Sequence, residues 1–516
     1  MTGLDPRTPV LVGVGQCTRR WMGEGAGEGV APDPQTLRAD AARLALADSG
    51  APALAAAIDR VMVVRTMADS VPGAPDPFGR CANPPGTLAE DLGLGAVEPV
   101  YSVAGGDQPQ ALVNEAAEAI FAGSARAVLI AGGEATAAHK TALRMGRTLD
   151  WSRSSGADFT DRGMGDWLLS PYEIANGLGR PPVTYPAFEH ALRGRWGLSR
   201  AAHGAVMAQL WAGFSHIAAT NPHSQFPTER SADFLATPSA ENYLVADPYL
   251  KWHVAQDAVN QAAALVLTSV GEADRLGIAA AKRVYLNGYA GAADRLPTER
   301  PDLSRSRATE LVLARALASA GLGVADIAHF DLYSCFPCAV LIAAEVLGLD
   351  WRATPLTVTG GLPFFGGPGN SYSLHAIATM ADRLRARPGD VGLVLANGGF
   401  LSKQAAGVYS ARPAADWVPV SSADLADQIA ADPVPVLVDG PAVARIDTYS
   451  VSYTKGVPTR GYVIGTTAGG ARILARSARD DAATLAELLS EDPLGRIATI
   501  AHDGRANIIT AIGSAP

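Results

Sequence analysis

The chain of 516 residues predicts an internally duplicated α/β core followed by a small antiparallel β domain. Three observations carry that reading. The first hundred residues alternate short apolar runs with helical patterns: VLVGVG at 10–15, the helix LRADAARLALADSG, then IDRVMVV from Ile58, the rhythm of buried strands between helices. A helix–strand–Gly-Gly unit then occurs twice. QALVNEAAEAIFAG leads into ARAVLIAGGEA with Gly132-Gly133, and SYSLHAIATMADRLRARPGD leads into VGLVLANGGF with Gly398-Gly399, which predicts two homologous halves. After Arg412 the texture changes to short alternating runs separated by turn residues. These are PVLVDG, AVARIDTYSVSYT, TRGYVIGTT, ARILARS and RIATIAHDGRANIITAIG, with one helix at DDAATLAELLS.

Composition narrows the function classes. With 42 Lys+Arg against 51 Asp+Glu the formal net charge is -9, which repels a polyanionic backbone and excludes nucleic acid as an expected partner. Hydrophobic residues make up 48% and charged residues 18%, as in a globular chain with a large core. No apolar run approaches the roughly 18 residues of a membrane span, and the opening MTGLDPRTP lacks the apolar stretch of a secretory signal. The four cysteines, Cys17, Cys81, Cys335 and Cys338, are too few for a disulfide framework and point to a reducing compartment, so a cytoplasmic protein is expected.

Between the halves, residues 136–250 loosen into segments rich in Trp, Pro and Arg, interrupted by the helix LSRAAHGAVMAQLWAGFSHIAAT. An insertion of this size on a rigid scaffold reads as the substrate-facing region. The expected division is 1–135 for the first half, 136–250 for this insertion, 251–412 for the end of the first half and the second half, and 416–516 for an additional β domain. The alternation of the last segment and hairpin signals such as Asp503-Gly504 predict that it folds independently of the core.

Several standard chemistries are absent: there is no phosphate-binding Gly-Lys-Ser/Thr loop, no G-x-S-x-G elbow and no H-E-x-x-H helix. Cys335-x-x-Cys338 has no second cysteine pair to complete a zinc site. It reads either as a buried pair of small apolar residues or as a redox dithiol at a helix start. The run GEGAGEG from Gly23 lacks a strand-to-helix context and reads as a loop. More informative is GGLPFFGGPGN, in which seven glycines and prolines crowd residues 360–369 just before a helix, so that main-chain N–H groups are expected to line a site. YSVAGGDQPQ breaks at Gly105-Gly106 in the same manner.

In order along the chain, these residues resemble the thiolase superfamily over 8–411. TPVLVGVGQCTRR is similar to the family's first strand and turn, and WGLSRAAHGAVMAQ to the helix that opens with Gly-x-Ser-Arg. DLYSCFPCAV stands where the family has its N-E-A-F or H-D-C-F loop, GGLPFFGGPGNSYSLHA where it has the GHP loop, and ANGGF where it has C-x-GG. The resemblance implies two duplicated βαβαβαββ halves in an αβαβα layering, here with an OB-like C-terminal barrel added. It also implies an acyltransferase of acyl-CoA lipid metabolism. The reactive residues depart from that pattern. The nucleophilic cysteine position falls on Gly105, the GHP histidine on Gly367, the Asn or His of the second loop on Tyr333, and the last cysteine on Ala396 or Asn397. Claisen chemistry needs a thiolate, an oxyanion hole and a base, and these residues do not supply them.

The leading expectation is therefore a protein that binds CoA or acyl-CoA without thiolytic chemistry. Gly105, Gly106, Tyr333, Phe336, Gly366, Gly367 and Asn370 would line the ligand, with no metal and no other cofactor. A second reading makes Cys335 the nucleophile of an altered acyltransferase, with Tyr333 or His375 nearby. A third is a scaffold that binds a partner protein through the C-terminal domain. Family members pair through a core strand, and the sequence leaves monomer and homodimer open.

Overall fold

The computed structural model describes residues 4–514 except 22, 24–28, 167, 480 and 491. The glycine run from Gly23 lies largely outside the described residues. The first half forms one mixed sheet from β1 (Pro9–Thr18), β2 (Arg60–Val63), β3 (Glu98–Tyr101), β4 (Ala127–Ala135), β5 (Thr160–Asp161) and β8 (Asn260–Ser269), in the order β1-β8-β4-β2-β3-β5. β4 is buried along its whole length, as expected of a strand covered on both faces. Helices α1 (Pro34–Asp48) and α2 (Pro84–Asp91) cover the outer face. Asp33 caps α1 by accepting from the Gln35 and Thr36 N–H groups at 2.8 and 2.9 Å. Gly13 and Gly15 on β1 let α1 close in, since a Cβ at either would overlap the α1 backbone.

The second half repeats this plan with β9 (Tyr285–Ala293), β10 (His329–Leu332), β11 (Val391–Gly398) and β12 (Lys403–Ser410), in the order β10-β11-β12-β9. β2 lies parallel to β4 as β10 does to β11, while β8 and β12 run antiparallel to their neighbours in both halves. The segment equivalent to β3 makes one backbone hydrogen bond with β10, Leu332 N–H to the Leu356 carbonyl at 3.0 Å, binds the Asp331 side chain through residues 357–359, and forms no regular strand. Helix α3 (Gln108–Phe121) and helix Tyr372–Ala386 pack against each other and against both sheets, forming the middle layer. Helices Arg307–Ala320 and Pro337–Val346 cover the far side of the second sheet. The duplicated Gly-Gly marks serve this middle layer: Gly132 on β4 leaves room for Ser371 at the start of helix Tyr372–Ala386, and Gly398 on β11 leaves room for Asp107 at the start of α3.

The inserted segment contributes helices α4 (Thr136–Arg144), α5 (Pro171–Ala175), α6 (Pro181–Thr184), α7 (Pro186–Arg195), α8 (Arg200–Thr220) and α9 (Ala232–Ala236), then β6 (Leu244–Ala246) and β7 (Tyr249–Leu250). The C-terminal domain is a five-stranded barrel of β13 (Ala442–Thr454), β14 (Val457–Thr467), β15 (Arg472–Arg476), β16 (Ile497–His502) and β17 (Asn507–Gly513). β13 pairs with both β14 and β16, β15 runs parallel to β17, and helix Ala482–Ser490 lies between β15 and β16, which is OB-like topology. PVLVDG, which reads as a strand, makes only an isolated bridge, Leu437 to Arg472, because the barrel closes without it. The last run divides at Asp503-Gly504 into β16 and β17, with Gly504 at φ 89°.

The barrel is joined to the insertion. β6 pairs with β13 at Ala246 and Ser452, so β6 and β7 extend the barrel sheet. Arg193 binds both Asp492 carboxylate oxygens at 2.5 and 2.7 Å, Arg200 donates to the Tyr449 hydroxyl at 2.8 Å, and the His190 ring stacks on Tyr449 with centroids 4.0 Å apart. Alternation along β13 shows that one face points inward, but it does not show what covers the other.

Candidate functional site

The loop between β3 and α3, the loop 333–336 between β10 and helix Pro337–Val346, and the end of β11 converge at the middle layer. A Cβ at Gly106 would overlap the Tyr333 hydroxyl and meet the Asn397 carbonyl, so three of the family-equivalent loops touch through a residue that only glycine satisfies. Pro109 at the start of α3 and Pro337 at the start of the second helix set these turns, since proline fits the first helical turn, where N–H groups are unpaired. Asp107 is buried. Its Oδ2 accepts the Gln108 amide at 2.8 Å, and burial pushes its carboxyl above the usual range despite the Lys403 charge.

Asn397 is fully engaged. Its Nδ2 donates to the Tyr185 hydroxyl at 3.1 Å and lies 3.7 Å from Cys335 Sγ, while its Oδ1 accepts from Gln404 Nε2 at 3.0 Å. The Tyr185 ring stacks on Phe336 with centroids 4.1 Å apart, and Tyr249 closes the other side at 5.0 Å. Cys335 is 8% exposed and burial pushes its thiol up to about 12, so the thiolate an acyl acceptor needs is disfavoured. His375 is not its partner: His375 Nδ1 faces Gln16 Oε1 at 2.9 Å and its ring packs edge-on against Phe365. Cys338 is buried deeper, 3.6 Å from the Tyr249 hydroxyl, and its thiol is also raised by burial. All four cysteines are free, and among the described residues no cluster of His, Cys, Asp or Glu could hold a metal.

Two further residues hold this region and were not legible beforehand. Glu189, buried on α7, accepts the Cys338 N–H at 2.8 Å, the Tyr249 hydroxyl at 2.8 Å and His203 Nε2 at 2.6 Å. Burial would raise its carboxyl, but these bonds outweigh it and hold it below the usual range. Tyr185 lies in a proline-rich stretch that carries no periodic signal for burial.

The glycine-rich loop behaves differently from the expectation that its N–H groups line a site. The Gly367 N–H donates to the Gln256 carbonyl at 2.8 Å and the Gly369 N–H to the Gly367 carbonyl at 2.8 Å, so these donors are already used. Phe364 and Phe365 are fully buried, against Trp252 and Tyr372 among others. Gly366, at φ 125°, makes room for Gln261, and Gly369, at φ 53°, makes room for Glu134, whose carboxyl burial raises to about 7. Asn370 Nδ2 donates to the Arg65 carbonyl at 2.8 Å and to Ser70 at 3.0 Å. The loop meets the Cys335 loop directly, where the Leu362 N–H donates to Ser334 Oγ at 3.1 Å, and through residues 255–256, where the Ala255 N–H donates to the Cys335 carbonyl at 3.1 Å. A cavity of about 420 Å³ lies elsewhere, lined by Arg195, Arg305, Leu313, Ile342 and Glu345 among others, and shares no lining residue with these loops. No helix among the described residues is long and apolar enough to cross a membrane.

Comparison with known proteins fits this geometry. Residues 424–505 match the model of the thiolase-like protein type 1 additional C-terminal domain. No curated protein matched the chain. Among solved structures, a monomeric SCP2-thiolase-like protein type 1 from Mycobacterium smegmatis is 36% identical over 98% of this chain and 99% of its own, with a TM-score of 0.83. An acetyl-CoA acetyltransferase from Syntrophomonas wolfei, 16% identical, covers 78% of this chain and 99% of its own at a TM-score of 0.56. An Ltp2-ChsH2(DUF35) aldolase, 19% identical, covers 78% and 98% at 0.55. The last two show the fold alone. The two duplicated sheets, the OB-like barrel and the full-length relative together establish that the chain belongs to the SCP2-thiolase-like protein type 1 family.

Proposed function

We propose that the protein binds CoA or an acyl-CoA and carries out neither thiolysis nor Claisen condensation. One observation carries this reading. The loops that hold the family's reactive groups come together, and at their meeting point stand Gly105, Gly106, Tyr333 and Asn397. The thiol beside them, Cys335, is buried and held protonated. Loss of one oxyanion donor alone lowers turnover by about 10²–10³, and here the nucleophile and the GHP histidine are absent as well. Retention of the fold without its chemistry favours binding over turnover. Free cysteines throughout suit the reducing cytoplasm. The protein acts as a monomer in this reading, as its Mycobacterium smegmatis relative is described. Calorimetric titration with CoA and with acyl-CoAs of increasing length tests the proposal. Saturable heat supports it, and the absence of heat at millimolar ligand overturns it.

A further inference from the structure

The place of the missing nucleophile is filled from another position. A Cβ built on Gly105 and one built on Gly398 would both overlap the same atom, Asp107 Oδ1, so this oxygen stands between the end of β11 and the turn that carries the cysteine elsewhere in the superfamily. Asp107 Oδ1 is buried and has no hydrogen-bond partner among the described residues, whereas Oδ2 is satisfied by Gln108. A buried polar atom left unpaired is costly, and a carboxylate oxygen is an acceptor whose natural complement is an N–H or O–H group. Beside it, the Tyr333 hydroxyl lies over Gly106, so a donor and an acceptor flank the same turn. A plain acyl thioester brings only its carbonyl oxygen and sulfur to such a place, and a carboxylate repels both. A hydroxyl is the group that can both donate to a carboxylate and accept from a phenol.

Resting on the reading that the site takes a CoA thioester, we infer that Asp107 and Tyr333 select a hydroxyacyl thioester, its hydroxyl near the thioester end, over the unsubstituted acyl thioester. The step is binding only; no bond is made or broken. Titration of the unaltered protein with CoA, butyryl-CoA and 3-hydroxybutyryl-CoA tests it without any variant. A charge-assisted hydrogen bond predicts that 3-hydroxybutyryl-CoA binds about tenfold or more tighter than butyryl-CoA. Asp107→Ala, checked for folding by circular dichroism, is expected to abolish that difference. Measurable CoA binding with equal affinity for the two acyl-CoAs overturns this inference and leaves the binding proposal standing. A fall in affinity for all three ligands alike in Asp107→Ala also overturns it, since the carboxylate would then serve the pantetheine arm. No binding of any of the three removes the binding proposal and this inference together.

Discussion

At single positions, the site is altered by replacement and then by filling. Placing a cysteine there as Gly105→Cys is not expected to produce a thiolase, because its Cβ overlaps Asp107 Oδ1. The variant is expected to lose about 1–3 kcal/mol of stability, as overpacked sites do, and to show no thiolysis even with Gly367→His added. Urea unfolding and an acetoacetyl-CoA assay check both halves of that statement. Two buried histidines add to the acid sensitivity of the fold. Burial lowers His375 to about 3 and His253 to about 4. Each is neutral in the folded chain, whereas an unfolded histidine takes up a proton near pH 6.5. Their contribution is therefore complete above pH 6.5 and is lost as pH falls toward 3 to 4, at about 1.4 kcal/mol per unit for each. His375→Gln should flatten the pH dependence of unfolding free energy between pH 6.5 and 4 by about one proton. An unchanged slope would show that His375 is not neutral in the fold.

Edges and junctions decide how the elements behave in solution. The β3 edge is covered by the chain itself: β5 runs beside β3, with Val100 opposite Thr160 and Tyr101 opposite Asp161, and Arg65 pairs with Asp161. Nearby, the Ala82 N–H donates to the Arg153 carbonyl at 2.7 Å and fixes the covering segment. An edge strand so occupied is expected not to pair with a second copy. Light scattering should give the mass of one chain, and replacing residues 157–163 by a short Gly-Ser linker should produce self-association. The barrel and the insertion share a sheet through β6 and β13 and bury His190 and Arg193 between them. The full chain is expected to unfold in one calorimetric transition, and a chain ending at Arg412 to aggregate through the face so exposed. Two well-separated transitions would show that the barrel folds alone.

Over the whole molecule, the duplication was readable because Gly132-Gly133 and Gly398-Gly399 follow the same helix–strand pattern. The fold explains Gly132 and Gly398 by the approach of Ser371 and Asp107. The motif order put Gly105, Tyr333 and Ala396 or Asn397 at equivalent positions of one site, and in the fold it is Gly106, the neighbour of Gly105, that meets Tyr333 and Asn397. The role of Asp107 was hidden, because the gap it fills is defined jointly by Gly105 and by Gly398, far along the chain. The packing of GGLPFFGGPG was hidden for a similar reason: glycine density signals close backbone approach but does not distinguish a ligand from the Gln256 carbonyl and the aromatic side chains that occupy this place. Burial of Glu189 on a short helix had no sequence mark, since its partners come from α8, β7 and the first turn of helix Pro337–Val346. On the proposed reading this thiolase fold keeps its ligand and has given up its chemistry. The most direct test of that reading follows acetoacetyl-CoA with free CoA at concentrations that saturate the protein in titration. Binding with no thioester cleavage above the uncatalysed rate is the predicted result, and cleavage near the about 10 s⁻¹ of an ordinary enzyme would contradict it.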